Sequence, residues 1–263
     1  MGARTVTSLT NPTVKAVRAL HMRKEREDSG LFLAEGLKIV IEALETGHAP
    51  RILMHGPEAA DHPMVRRAAE ATAAAGGEMI EVTRDILEKV SRRDNPQAVV
   101  GVFQQTFAPL DGLEPGAAPV WVALQAVRDP GNLGTIIRTA DAAGCGGVIL
   151  VGDCCDPYSV EAVRATMGST FAVPLFKATA PEFLAWRGQW HGSVVGTLLT
   201  ATVDHRTAAY TRPTLILMGN EQAGLPPEMA AACDVNVKIP MRGRADSLNL
   251  SVATGIMIYA AAG

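Results

Sequence analysis

Residues 120–151 read VWVALQAVRDPGNLGTIIRTADAAGCGGVILV, and this stretch decides the fold. An apolar run over Val120–Ala126 is followed by a polar loop rich in glycine, a helical pattern over Gly134–Ala143, and a second apolar run over Gly147–Val151. Short apolar runs without polar alternation are strands covered on both faces. A strand joined through a helix to the next strand builds a parallel sheet. The pattern continues downstream. Strands are expected at Phe171–Leu175, Ser193–Leu198, Thr214–Met218 and Val235–Ile239, with helices over Ser159–Met167, Pro181–Arg187 and Leu248–Ala262. Ligands of such sheets bind beyond the carboxyl ends of the strands, so the chemistry is expected in the strand-to-helix loops.

Upstream, Gln104–Pro119 (QQTFAPLDGLEPGAAP) carries three prolines, two glycines and little apolar periodicity, which reads as a linker. Before it lies a small α/β domain. Asn11 and Pro12 open a helical stretch running to about Glu27, with Asn11 as cap and Pro12 as first helical residue. Strands are expected at Leu31–Ala34, Ile52–Met54, Met79–Val82 and Ala98–Phe103, and helices at Gly36–Glu45, Met64–Ala75 and Arg84–Val90. The expected organisation is therefore a first domain over residues 1–104, a linker over 105–119 and a second domain over 120–263.

Composition narrows the class. The chain has 263 residues, 48% hydrophobic and 19% charged, which is ordinary globular usage. No apolar run approaches the roughly 20 residues of a membrane span. The first 20 residues hold Arg4, Lys15 and Arg18 and no apolar signal core, so the cytoplasm is the expected location. Cys145, Cys154, Cys155 and Cys233 show no CxxC spacing and have no histidines nearby, which speaks against a disulfide framework and a zinc site. Net charge is −3, and distribution matters more than that sum. Residues 1–107 carry 14 Lys and Arg against 14 Asp and Glu, with basic groups clustered at Arg18, Arg23, Lys24 and Arg26, then at Arg66 and Arg67, and again at Arg92 and Arg93. These clusters are candidate phosphate contacts. The alternative is a set of solvated helix faces balanced by Glu25, Glu27 and Asp28.

Three loops of the second domain carry the chemistry. The first, Val127–Gly134, leaves a strand and opens a helix, so flanking glycines and free backbone N–H groups face an anion. Arg138 follows within the first turns of that helix and offers a guanidinium suited to phosphate. The second, Leu217–Glu228, ends a buried strand at Gly219 and carries Glu221, with Gly219 and Gly224 permitting close approach of backbone to ligand. In the third, Ile239–Ala253, Ser247, Asn249 and Ser251 punctuate the start of an otherwise apolar helix. Asp246 or Ser247 could simply cap that helix. Asn249, read as lying inside a buried helix, would need hydrogen-bond partners.

Taken together, DPGNLGTIIRTADAAG (129–144), LILMGNEQAGLPPE (215–228) and IPMRGRADSLNLSVA (239–253) resemble the three motifs of the SpoU/TrmH family of RNA ribose 2′-O-methyltransferases. SLTNPTVKAVRAL (8–20) and FLAEGLKIVIEAL (32–44) look like the substrate-binding extension of the family's ribosomal-RNA members. The resemblance implies a SPOUT α/β domain with a deep trefoil knot in its C-terminal segment, although general fold rules make knots rare. It implies an L30e-like first domain that grips RNA, most readily 23S ribosomal RNA, through basic residues such as Arg18, Arg23, Lys24, Arg26, Arg92 and Arg93. It implies a homodimer with active sites built across the interface, and S-adenosylmethionine as methyl donor without a metal. Carried over by position, the donor is expected against Thr197, Met218, Gly219, Asn220, Gly224, Ile239, Met241, Ser247 and Leu248. The reaction centre is expected at Asn132, Arg138, Glu221, Ser247 and Asn249.

The reaction is an in-line attack of a ribose 2′-hydroxyl on a sulfonium methyl, so alignment and loss of one proton are what protein groups can assist. Arg138 is then either general base or phosphate anchor. Bringing an arginine from a pKa near 13 toward 7 costs roughly 8 kcal/mol, whereas general-base catalysis typically returns about 3–5 kcal/mol. The anchor role, with stabilisation of the developing alkoxide, is favoured. Asn132 and Glu221 are expected to hold Arg138 and the loop geometry, and Ser247 and Asn249 to position the ribose or the methionyl end of the donor. Three other readings compete. An RNA-binding protein without catalysis would be expected to lose the Asn/Arg/Glu/Asn set, and all of it is present. A nicotinamide-dependent dehydrogenase needs GxGxxG directly after a strand, but Gly144-Cys145-Gly146-Gly147 precedes one. A tRNA substrate is disfavoured by the long first domain.

Overall fold

The structure is a computed structural model describing residues 4–263. The chain forms two compact units, and their division differs from a single cut at the linker. The chain up to Gln105 joins Asp156–Ala172 in the first unit, while Thr106–Cys155 and Val173–Gly263 form the second.

In the first unit, β1 (Arg4–Val6), β2 (Leu31–Glu35), β3 (Ile52–His55), β4 (Glu78–Val82) and β5 (Val99–Gln104) form one sheet in the order β1-β4-β3-β5-β2. The strands β1, β4 and β3 run parallel, and β5 is antiparallel to both β3 and β2. Helices α1 (Pro12–Ala19), α2 (Arg23–Ser29), α3 (Leu37–Glu45), α4 (Pro63–Ala74) and α5 (Arg84–Ser91) connect them. The helix read as running from Pro12 to Glu27 is thus broken at Leu20–Met22. Carbonyls at a helix end lack intrahelical partners, and Arg26 donates from Nη1 to Leu20 O at 2.7 Å while its Nε meets Asp156 Oδ2 at 2.7 Å. Arg26 is buried. It staples the turn between α1 and α2 and does not face a partner, which corrects its place among the expected RNA contacts.

Two buried ion pairs bind the 156–172 excursion into this unit. One is Arg26 with Asp156. The other is Arg164 on α7 (Val160–Thr166), which meets Glu35 at 2.5 Å, with the Glu35 side chain only 2% exposed. Phe32, Phe103, Tyr158 and Phe171 close the gap with ring centroids as near as 4.6 Å. The capture of Phe171, together with Pro174 and its missing N–H, explains why the strand expected at Phe171–Leu175 instead begins at Leu175.

His21 adds a pH response. Its Nε2 lies 2.7 Å from Val90 O, and burial holds the imidazole below its ordinary value, with Arg92 adding to the effect. A histidine whose folded pKa is depressed takes its proton first in the unfolded chain, so stability falls as pH drops below about 6.5 toward the lowered folded value. His21→Gln should therefore lose less of its urea midpoint than wild type between pH 7.5 and pH 5.5. An identical loss in both proteins would contradict this.

The second unit holds a seven-stranded, wholly parallel sheet, as the sequence predicts. Its strands are β6 (Val120–Gln125), β7 (Val148–Val151), β8 (Leu175–Ala178), β9 (Val194–Thr197), β10 (Val203–Asp204), β11 (Thr214–Met218) and β12 (Val235–Lys238), in the order β10-β12-β9-β11-β6-β7-β8. Helices α6 (Pro130–Ala142), α8 (Ala180–Arg187), α9 (Pro227–Ala231) and α10 (Leu250–Ala262) flank it. The segment read as a linker is built into this unit. Ala108 pairs beside Phe176, Leu113 is buried, and Trp121 Nε1 donates to Pro115 O at 3.0 Å. The chain runs outward through β6, β7 and β8 and then crosses back to β9 and β11. That reversal sets the carboxyl ends of β6, β9, β11 and β12 around one crevice, the place where doubly wound sheets bind ligands.

Candidate active site

The loop after β6 turns sharply at Ala126 (φ 51°), and Asp129 caps α6 by accepting from Asn132 N at 2.6 Å. The loop after β11 folds back on itself. Asn220 and Gly224 exchange two backbone hydrogen bonds, and Asn220 Nδ2 donates to Ala126 O at 2.8 Å. Only glycine fits at 219, because a Cβ there would lie 2.2 Å from the Gly224 carbonyl carbon. This turn delivers Glu221 to the first loop. Its carboxylate accepts from Arg128 N at 3.2 Å, Asp129 N at 3.3 Å and Asn132 Nδ2 at 3.4 Å.

The third loop closes the set. Asn249 lies just outside α10 as its cap, with Oδ1 accepting from Ser251 N at 2.9 Å, and it is exposed. This corrects its expected place inside the helix and also sets aside the alternative that Asp246 or Ser247 is the cap. The amide still has partners: Asn249 Nδ2 donates to Asn132 Oδ1 at 2.9 Å. A carboxylate and two amides from three separate loops thus form one hydrogen-bonded row, Glu221–Asn132–Asn249. Each amide is fixed at both its ends.

The row edges a cleft of about 780 Å³, within the range of roughly 300–1,000 Å³ typical of small-molecule sites. Thr197, Met218, Gly219, Asn220, Gly224, Ile239, Met241, Ser247 and Leu248 all line it, so the residues expected around the donor converge. The Thr197 hydroxyl is buried on this wall without a hydrogen-bond partner. An orphaned polar atom among apolar walls suits a ligand that is mostly apolar and carries a few polar groups. Sequence reasoning missed Arg128, Leu198, Leu199 and Leu225, which also line the cleft. Their signal was positional, since each lies just past a strand end or within the motif loops. Arg128 is the one cation among the lining residues, and its Nη1 meets Asp153 Oδ2 at 2.7 Å. Among the described residues no group of His, Cys, Asp and Glu could hold a metal ion.

Arg138 stands apart. It is exposed, does not line the cleft, and makes no hydrogen bond or ion pair among the described residues. Six residues along a helix are roughly 9 Å of rise and about 120° of rotation, so Asn132 and Arg138 face different ways. The expectation that Asn132 and Glu221 hold Arg138 is thereby corrected: they hold each other and Asn249. Of the basic residues expected on the first domain, Arg23 pairs with Glu27 at 2.8 Å and Arg26 is buried, whereas Arg18, Arg92 and Arg93 gather around one small concavity.

Comparison with known proteins agrees with this geometry. The SpoU rRNA Methylase family matches residues 119–259, and an MRM3-like substrate binding domain matches residues 11–101. A 23S rRNA (guanosine(2553)-2′-O)-methyltransferase, RlmP, of Bacillus subtilis is 30% identical over 97% of each chain. A 23S rRNA (uridine(2479)-2′-O)-methyltransferase of Streptomyces viridochromogenes is 31% identical over 98% of this chain and 92% of its own. The crystal structure of an AdoMet-bound rRNA methyltransferase from Sinorhizobium meliloti superposes with a TM-score of 0.92 at 50% identity, covering 98% of this chain and 97% of that one. The three-loop cleft, the parallel sheet and the full-length match agree: this chain belongs to the SpoU rRNA methylase family.

Proposed function

We propose that the protein transfers a methyl group from S-adenosylmethionine to a ribose 2′-hydroxyl of ribosomal RNA. The row Glu221–Asn132–Asn249 at the mouth of the cleft carries this reading, because it fixes polar groups beside a donor-sized cavity. Thr197, Met218, Gly219, Ile239, Met241 and Leu248 would hold the donor, which supplies an electrophilic sulfonium methyl. The 2′-oxygen forms the new O–C bond on the side opposite the breaking C–S bond, and its proton leaves to solvent. Asn132 and Asn249 orient the ribose, and Glu221, carried by the loop after β11, braces the loop after β6 by accepting from Arg128 N and Asp129 N.

The remaining catalytic group, Arg138, comes from a second copy of the chain. On α10 the apolar side chains Val252 and Tyr259 are 52% and 58% exposed, with half-buried Ile256 between them. Residues at this i, i+4, i+7 spacing form one stripe, and α10 packs on α6, the helix that bears Arg138. A homodimer covering that stripe would carry one protomer's unpaired arginine to the other's cleft. Ribosomal RNA is favoured over tRNA because the match to rRNA enzymes runs the full length, through the first unit. The C-terminal segment is read as threaded into a trefoil knot, a reading supported by the return of the chain after β12 to pack α10 against β11, β6 and α6. Among the described residues no helix is long and apolar enough to cross a membrane, and an rRNA substrate is met in the cytoplasm.

The test is transfer of labelled methyl from the donor into total RNA, followed by sizing. Label in large ribosomal RNA, lost with Asn132→Ala, is expected. Label confined to tRNA would overturn the substrate, and a protein that binds donor but labels no RNA would overturn the reaction.

A further inference from the structure

Several cations of the first unit are held by a near neighbour. Arg66 meets Asp61 at 2.9 Å, Arg84 meets Glu88 at 3.1 Å, and Arg23 and Arg26 are paired as described. At one concavity, cations without such a neighbour are gathered together. Arg18 in the last turn of α1, Lys89 in the last turn of α5, and Arg92 and Arg93 just beyond it surround a cavity of about 220 Å³, with Glu88 and Asp94 at its wall. Arg18, Lys89 and Arg92 have no ion-pair partner among the described residues. Of the two carboxylates, Glu88 is engaged by Arg84. Arg93 leans toward buried Glu35 at 3.9 Å, a carboxylate already held by Arg164. Four cations therefore face two acids at this one place.

The backbone at this helix end fixes where Arg92 stands. Arg92 ends α5 in the left-handed region, with φ 54° and ψ 42°, and its N–H donates to Glu88 O. Glycine is the ordinary residue for such a helix end, and a side chain there costs about 1–2 kcal/mol. Met167 ends α7 in the same conformation, so the strain itself does not call for charge; it places the Arg92 side chain beside Arg18 and Lys89. The cavity is smaller than the roughly 300 Å³ at which sites for small molecules begin, so it fits a compact anion better than a nucleoside. Guanidinium groups match phosphate oxygens through paired hydrogen bonds.

We infer that this concavity is a phosphate subsite that grips the backbone of the RNA substrate through Arg18, Lys89 and Arg92, with Arg93 braced beneath. The inference rests on the RNA reading above and adds Lys89, which the sequence clusters did not single out. Free phosphate shares the chemistry, and the experiment separates the two sources.

The full-length triple variant Arg18→Ala/Lys89→Ala/Arg92→Gly is compared with wild type, glycine being chosen because it relieves the left-handed strain. Binding of a fluorescent ribosomal RNA fragment is followed from 50 to 200 mM salt, with donor binding by calorimetry. Methyl transfer gives the KM for RNA. Each lost phosphate contact removes about 0.7–0.9 from the slope of log K against log salt. The expected result is RNA affinity at least tenfold weaker, a slope shallower by about 0.7–0.9 for the one phosphate released, a raised KM for RNA, and unchanged donor affinity. An unchanged slope and KM would overturn the subsite. So would a response confined to inorganic phosphate, with the wild type alone stabilised by millimolar phosphate while RNA binding stays equal. If the wild type binds donor and labels no RNA, the RNA reading itself falls and takes the subsite with it, an outcome distinct from equal labelling by the two proteins.

Discussion

Arg138→Ala is expected to lower kcat for methyl transfer by about 10²–10³-fold, the usual loss when one preorganised donor to a developing oxyanion is removed. Donor affinity should stay within about twofold of wild type, because Arg138 does not line the cleft. The fold should be unaffected as well, since the side chain is exposed and makes no hydrogen bond or ion pair among the described residues. Arg138→Lys separates the two roles open to this residue. As a phosphate anchor, lysine keeps the charge and loses the planar fork, so the rate falls and the pH–rate profile keeps its shape. As a general base, lysine would titrate some units lower than arginine and shift the profile toward lower pH. We expect the first result. If the arginine acts across a dimer, mixing two inactive chains, Arg138→Ala and Asn132→Ala, restores activity, because each mixed dimer carries one site free of both changes. Failure of the mixture to recover, with dimers demonstrably exchanged, would place Arg138 in its own protomer's site.

Gly219→Ala should abolish measurable donor binding, at least a hundredfold loss, while costing about 1–3 kcal/mol of stability, the range for forcing extra volume into a packed site. The added methyl would fall 2.2 Å from Gly224 C and 2.3 Å from Leu225 N, and neither backbone atom can move without opening the Asn220–Gly224 pairing that carries Glu221. Gly224→Ala is the informative contrast. Nothing lies within 4 Å of its added Cβ, but its φ is +69°, so its cost is conformational, about 1–2 kcal/mol, with far weaker loss of donor binding. Calorimetric titration and thermal melts of both variants check this. Equal donor affinities would mean that the turn does not shape the cleft.

The alternation around 120–151 made the parallel sheet legible, because buried strands and their connecting helices leave an apolar periodicity in one dimension. The three loops were legible mainly through the resemblance of their motifs to the SpoU/TrmH family, since Asn132 and Glu221 taken singly read as ordinary loop residues. What escaped was set by contacts distant in sequence. Nothing local marks residues 156–172 as belonging with the first unit. Arg26–Asp156 spans 130 positions and Arg164–Glu35 spans 129, and only those buried pairs reveal it. Arg26 looked like its neighbours Arg23 and Lys24 in a basic run, yet burial and the Leu20 carbonyl gave it a structural task. Asn249 was misplaced by a single residue at a helix start, where capping and interior positions differ only in backbone geometry. Its amide link to Asn132, 117 residues away, depends on that geometry.

The most direct measurement is nucleoside analysis of 23S ribosomal RNA after reaction with the protein and labelled S-adenosylmethionine, with Asn132→Ala alongside. The account predicts one labelled 2′-O-methyl nucleoside from the wild type and a loss of about 10²-fold or more with the variant. Label on a base, or a ribose methylated equally by both proteins, would contradict it.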